Sequence, residues 1–197
     1  MTLQDAIRGF FGAWRLLHFD RTGLQYFQVS PTAFWHSFWA AAIVLPADAI
    51  ATLLLLSGDP ATSTTSDTLH TTLIYLEIYA LQWLIFPLVI AGYTEMIQRS
   101  DRFVLFVIAW NWSSIIRAAI VLPAIAIFAN EGTDSASWGA AIYIVVLGVT
   151  FVYGWFVARS ALDAPPLSAA MVVVIEIVLA ILIWAGAQNL IGQAGAG

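Results

Sequence analysis

Four ionisable residues lie inside long apolar stretches of this chain: Asp48, Glu77, Arg117 and Glu176. An unpaired charge at the centre of a lipid bilayer costs on the order of 3 kcal/mol, so these side chains are expected to face other helices and to pair. Counted along their helices, Arg117 and Glu176 come to a similar depth near the middle, whereas Asp48 and Glu77 lie roughly 10 Å from the outer side. We therefore expect Glu176 to pair with Arg117, with Asp48 as the second choice, and Asp48 and Glu77 to share a proton.

This charge cluster allows two interpretations. The pair of Arg117 and Glu176 is either a structural ion pair between helices or part of a route for protons or ions. In the second interpretation, the route runs from Glu176 past Arg117 to Asp48 and Glu77.

Prolines interrupt three of the same apolar stretches, at Pro46, Pro87 and Pro123. A proline inside a helix removes one backbone hydrogen bond and frees the carbonyl four residues earlier, which lipid cannot satisfy. Each proline therefore predicts either a kink that serves packing or a hinge or ion-coordinating break.

The composition indicates the class of protein that carries these residues. Hydrophobic residues make up 61% of the 197 residues and charged residues 10%, against roughly 45 to 50% and 25% in soluble domains. A membrane-spanning helix needs about 20 apolar residues, and five segments are long enough: 33–56, 71–96, 103–129, 137–158 and 168–191. We predict an all-α membrane protein in which residues 33–197 form one five-helix transmembrane domain after a segment of residues 1–32.

The beginning of the chain predicts an amphipathic helix that lies in the headgroup layer of the membrane. Its apolar residues recur at helical spacing while polar residues cover the remaining surface, the apolar set being Leu3, Ile7, Phe10, Trp14 and Leu17. Thr2, followed by Asp5 three residues later, predicts a capping box at its start. A helix that binds a partner protein is the alternative interpretation.

The arginines predict how the chain is oriented. All seven basic residues are arginine, and apart from Arg117 they fall in alternate connections: Arg8, Arg15, Arg21, Arg99, Arg102 and Arg159. The other connections carry acidic residues and no arginine. Because basic residues in short loops stay in the cytoplasm, we expect the amino terminus to be cytoplasmic and the carboxyl terminus to lie outside. The alanine-rich, lysine-free composition favours a bacterial inner membrane.

One stretch of the sequence occurs twice. Residues 41–50, AAIVLPADAI, match residues 118–127, AAIVLPAIAI, at every position except Asp48 against Ile125, and a Trp-x-Ser triplet precedes both copies at the same distance. We interpret this as a parallel internal repeat that relates the first two spans to the next two and leaves a fifth span added. Small alanines beside the prolines would let the two copies pack as a central pair. Chance similarity between two apolar helices is the alternative.

The sequence shows no motif for catalysis or for a cofactor. It contains no cysteine, no HExxH or GxSxG pattern and no phosphate-binding glycine loop. His36 and His70 are expected near opposite sides of the membrane, so a shared metal is not expected. We therefore expect no enzymatic activity, no catalytic residue, no cofactor and no metal. We also expect no binding to nucleic acid, because the membrane topology already explains the arginines.

Five spans follow a lead-in helix, and the first, proline-containing span begins with Ser30-Pro31-x-x-Phe34-Trp35-x-Ser37. This layout resembles the Yip1 domain family. The DLYGP-type motif of the eukaryotic members is absent, so their roles with small GTPases and in vesicle trafficking are not implied. The resemblance implies a multi-span membrane protein without an established activity.

Our leading hypothesis from the sequence is a non-enzymatic inner-membrane protein of this Yip1-like layout. It would act as a scaffold or partner subunit, in contact with the lipid bilayer and with another membrane protein or further copies of itself. The alternative is a small proton- or ion-coupled transporter or permease that uses the four intramembrane charges.

Overall fold

The described part of the protein is built from seven α-helices. The computed structural model describes residues 2–56, 68–131 and 138–194. Its helices are α1 (Leu3–Leu17), α2 (Pro31–Ser37), α3 (Trp39–Leu56), α4 (Thr68–Met96), α5 (Phe103–Glu131), α6 (Trp138–Ala161) and α7 (Pro166–Ala194). Two short 3-10 helices, Arg21–Tyr26 and Ser100–Arg102, lie in the connections.

Five segments among the described residues are long and apolar enough to cross a membrane. They are Pro31–Leu55, Thr72–Met96, Ser100–Asn130, Trp138–Ala161 and Pro166–Gly186. The prediction of an all-helical fold with five helices long and apolar enough to span a membrane is therefore confirmed for the described residues. The acidic connections of residues 57–67 and 132–137 lie outside the described residues.

The proline-containing spans are not interrupted at their prolines. α3, α4 and α5 continue through Pro46, Pro87 and Pro123. The first span is instead divided at Phe38, where α2 ends and α3 begins.

α5 is the central helix of the bundle. It packs against α1, α2, α3 and α6, while α7 lies between α4 and α6. Phe34 lies beside Phe103, and Ser37 lies beside Asn111. The later residue of the first span contacts the later residue of α5. The two helices therefore run in the same direction. The two helices that carry the repeated stretch thus pack side by side, as expected from their alanines.

α1 docks on α5 and α6, and also contacts the 3-10 helix that follows it. Its buried positions are Gly9, Gly12, Ala13 and Leu16. A Cβ atom at Gly9 would overlap the indole ring of Trp112, so only glycine lets the helix approach this closely. The Tyr153 hydroxyl of α6 donates a hydrogen bond of 2.8 Å to the Ala13 carbonyl.

The opposite face of α1 remains uncovered. Leu3 is 78% exposed and Ile7 60% exposed, and Phe10 and Trp14 are also exposed, whereas Leu17 is partly buried against the core. The predicted capping box is present, since the Thr2 amide donates to the Asp5 carboxylate at 2.8 Å and the Asp5 amide donates to the Thr2 hydroxyl at 3.2 Å.

The turn after α1 is held by one carboxylate. Asp20 accepts hydrogen bonds from the Thr22 hydroxyl at 2.7 Å, from the Thr22 amide at 2.9 Å and from Arg15 Nε at 2.7 Å. Together with the positive charge of Arg15, these bonds lower the pKa of Asp20 to about 2, because each of them stabilises the ionised form.

Candidate functional site

A cavity of about 220 Å³ lies between α3, α4, α5 and α7. Three of the four predicted ionisable residues line it: Asp48, Arg117 and Glu176. The other polar groups and the aromatic walls come from Tyr79, Gln82, Trp83, Phe86, Trp110, Asn111 and Ser114. Because four separate helices supply these side chains, the site exists only in the folded bundle.

Arg117 is the most constrained of the charged residues. Its Nη1 donates to Glu176 Oε1 at 2.6 Å, and its Nη2 donates to the Ser114 hydroxyl at 3.1 Å. The guanidinium carbon lies 4.4 Å from the centre of the Trp110 ring, a distance at which a cation is attracted to the ring face. Its Nε is buried and has no hydrogen-bond partner among the described residues. The structure therefore contains the predicted pairing of Arg117 with Glu176.

Asp48 has a different partner from either of those expected. The Tyr75 hydroxyl of α4 donates a hydrogen bond to its Oδ2. One turn further along α4, the Tyr79 hydroxyl donates at 2.6 Å to the carbonyl of Ala41. That carbonyl lies one residue before the one that Pro46 is expected to free, so a hydroxyl from a neighbouring helix serves the backbone beside the proline.

Glu77 does not join the other three charges. Its side chain is exposed on the surface of α4, and no hydrogen bond or ion pair is found for it among the described residues. The helix geometry explains this, because Tyr75 and Tyr79 both contact α3 and a residue midway between them points about 200° away from Tyr75. Glu77 therefore cannot share a proton with Asp48 in this arrangement.

A buried hydrogen-bond chain links the first span to α5. The Asn111 side-chain amide donates to the Ser37 hydroxyl at 2.9 Å, and that hydroxyl donates to the Phe34 carbonyl at 2.7 Å. Asn111 is 2% exposed and Ser37 is fully buried. These two hydrogen bonds fix the position of the first span along α5. They therefore also fix the position of Asp48 along the bundle relative to Arg117.

Sequence reasoning missed Tyr75 and Tyr79, which connect α4 to α3. A signal was available, since two tyrosines four residues apart lie on the same face of a helix. Gln82 and Ser114 gave no comparable signal, because single polar residues are common at any position in such helices.

A second, smaller cavity of about 130 Å³ lies under α1, where Asp5, Arg8, Tyr26 and His36 are among its lining residues. The His36 Nδ1 atom lies 3.4 Å from Asp5 Oδ2. His36, which the sequence predicts to lie near the end of a span, thus has a carboxylate as its neighbour. Across the described ranges, no three histidine or acidic side chains come together in a group suited to a metal ion.

Comparisons with known proteins do not assign a family. No family model, no curated protein and no solved structure matches this chain. The resemblance to the Yip1 domain family therefore stays a prediction.

Proposed function

We propose that this chain is a small proton- or ion-coupled transporter or permease whose solute site is the cavity between α3, α4, α5 and α7. The observation that supports this best is that the side chains of Asp48, Arg117 and Glu176 line the cavity. Ionisable side chains inside membrane spans commonly mark the paths of substrates and protons. Charges that only hold helices together would be expected in a dry, closed pair.

The ion pair between α5 and α7 supplies the step that responds to a proton. Arg117 is held by a single carboxylate contact of 2.6 Å, and the side chain of Glu176 remains 27% exposed. Protonation of Glu176 would remove the attraction between the two charges and leave Arg117 to Ser114 and to the Trp110 ring. A change of charge at one helix contact is the kind of local event that biases a two-state bundle.

The three prolines lie in helices that form the wall of this cavity. Pro46 is in α3, Pro87 lines the cavity from α4, and Pro123 is in α5. Helices that lack one backbone hydrogen bond bend more easily at that point. In this proposal the prolines are therefore hinges around the solute site.

Proteoliposome flux is the measurement that tests the proposal. Purified full-length chain is reconstituted with a pH-sensitive dye inside, and proton movement is followed under sodium, potassium and solute gradients. We expect flux that falls at least tenfold in Asp48→Asn and in Glu176→Gln. Glu77→Gln is the matched control, because this carboxylate lies outside the cavity, and it should retain the parent rate.

Either of two results would count against this function. Flux that is unchanged in both cavity variants would reject the assignment of these residues. Absence of flux under every gradient, from protein that is folded and correctly inserted, would reject the class of transporter.

A second candidate, the partner subunit of Yip1-like layout, is favoured by the outer surface of α4. Glu77 is exposed there among leucines such as Leu73, Leu84 and Leu88, which are 51%, 59% and 73% exposed. An ionised group that faces lipid costs about 3 kcal/mol, and a second subunit covering this face would remove that cost. Such a protein would be a non-enzymatic scaffold of the inner membrane.

Cysteine cross-linking in native membranes tests this second candidate. The chain has no cysteine, so a Leu84→Cys variant reports on the α4 surface alone. Rapid oxidative cross-linking between two copies is expected, since each copy supplies one of the two thiols of the disulfide. Ile181→Cys on α7, also 59% exposed, is the control that should cross-link slowly. A strict monomer with no cross-linked partner contradicts the scaffold role.

A further inference from the structure

The fixed charges around the central cavity do not balance. Arg117 and Glu176 neutralise each other at 2.6 Å. Among the described residues, Asp48 accepts a hydrogen bond from the neutral Tyr75 hydroxyl and has no basic partner. With all three groups ionised, the cavity wall therefore carries one uncompensated negative charge, at the Asp48 carboxylate.

Aromatic side chains form part of the cavity wall that also contains Asp48. Tyr79 and Trp83 follow each other on α4 with ring centres 6.2 Å apart and planes tilted by 52°, and both line the cavity. The faces of such rings attract cations, with tryptophan the strongest. Trp110 already binds the guanidinium of Arg117 in this way, so the same cavity contains one example of the interaction.

We propose that this cavity binds a monovalent organic cation, a substituted ammonium group carried on a small molecule. The Asp48 carboxylate balances the charge, and the Tyr79 and Trp83 rings contact the alkyl groups on nitrogen. A metal ion would use only the oxygen groups of the cavity wall, whereas a substituted ammonium ion also gains from the aromatic faces. The cavity of about 220 Å³ has room for a small molecule that carries such a group. The inference rests on the proposed function only for the location of the site.

Equilibrium binding to the purified full-length chain in detergent tests the ligand class. The probes are choline and 3,3-dimethylbutan-1-ol, which has the same shape with a carbon atom in place of the charged nitrogen. We expect choline to bind at least tenfold more tightly than the neutral compound. Asp48→Asn should weaken choline at least tenfold, and Trp83→Leu should weaken it severalfold.

Matched variants keep the test specific. Glu77→Gln removes a carboxylate on the outer side of α4, and Trp138→Leu removes a tryptophan that is 81% exposed; both should bind choline as the parent does. Circular dichroism and size-exclusion profiles establish that each variant is folded. Equal affinity for the two probes, unchanged binding in folded Asp48→Asn, or no binding of choline or tetramethylammonium by folded parent protein would overturn the inference.

These results also separate the ligand from the transport function. Proton or ion flux that depends on Asp48, from protein that binds no alkylammonium ion, overturns the ligand class and leaves the transporter in place. Choline binding that depends on Asp48, from protein that moves no solute or proton, supports the cation site and rejects the transporter.

Discussion

Removal of one member of the Arg117–Glu176 pair should cost more stability than removal of both. The side chains are 15% and 27% exposed, so neither charge would gain full solvation if its partner were lost. A charge left unpaired near the middle of a membrane costs about 2.5 to 3.5 kcal/mol, and we expect Glu176→Leu to destabilise the bundle by about 3 kcal/mol. Arg117→Met should cost less, because a carboxyl group can take up a proton whereas a guanidinium cannot lose one.

The double variant Arg117→Met/Glu176→Leu should recover most of that loss. Apolar side chains of similar volume in place of a buried ion pair are often neutral or even stabilising. We therefore expect the double variant to lie within about 1 kcal/mol of the parent, which implies a coupling energy of at least about 2 kcal/mol between the two sites.

Thermal unfolding in detergent, followed by helical circular dichroism, measures this cycle. For a domain of this size, 1 kcal/mol corresponds to a shift in Tm of about 2 to 4 °C, so Glu176→Leu should lose about 6 to 12 °C and the double variant less than about 4 °C. Glu77→Leu, with the same chemical change on the outer surface of α4, should leave Tm unchanged or raise it. A double variant whose Tm loss equals the sum of the two single losses would refute the pairing energetics.

Three further predictions concern the lead-in segment. Gly9→Ala should destabilise the protein by about 1 to 3 kcal/mol because the new methyl group overlaps the Trp112 ring; Gly148→Ala, where a Cβ meets nothing within 4 Å, should be neutral or slightly stabilising in the same thermal assay. The depressed pKa of Asp20, about 2, means that its stabilising contribution is complete above the ordinary carboxyl pKa of about 3.9 and is lost as the pH falls towards 2; proteolysis of the segment should therefore rise below pH 4 in the parent, and less so in Asp20→Asn. A Gln4→Cys variant in spheroplasts should react with a membrane-impermeant maleimide only after lysis, and labelling of intact cells would contradict a cytoplasmic amino terminus.

The number of spans and the central ion pair were predictable because they depend on quantities that a sequence states directly. Apolar length determines whether a helix can cross a bilayer, and residue count along a helix determines depth. Arg117 and Glu176 match in depth, and the structure places them 2.6 Å apart. For that pair, matching depth and the rule that buried charges are paired were sufficient, and the direction of the side chains did not have to be known.

The rotation of each helix about its axis was not predictable in the same way. In a soluble helix, polar residues mark the outer face, but α4 is apolar on all sides, so nothing in its pattern distinguishes the face that meets α3 from the face that meets lipid. The residue count along the helices predicted that Glu77 lies at the same depth as Asp48. In the structure, however, the rotation of α4 about its axis directs Glu77 away from the bundle. The tyrosines that hold α4 to α3 were missed for the same reason, since tyrosine is common both inside bundles and at membrane surfaces.

The repeated stretch shows how two similar helices produce one asymmetric site. At the two positions where a charge replaces an apolar residue, Asp48 stands against Ile125, and Arg117 stands against Ala40. Ala40 is fully buried and Ile125 is 6% exposed, so the apolar member of each pair occupies a position with no room or solvation for a charge. Because the two helices pack side by side in the same direction, the carboxylate of one and the guanidinium of the other line the same cavity. Two identical helices could pack equally well. Both would then carry the same residues at these positions, with either no charge or the same charges on each helix. The carboxylate on which the proposed cation site depends, Asp48, therefore lies at one of the two positions where the similar stretches differ in charge.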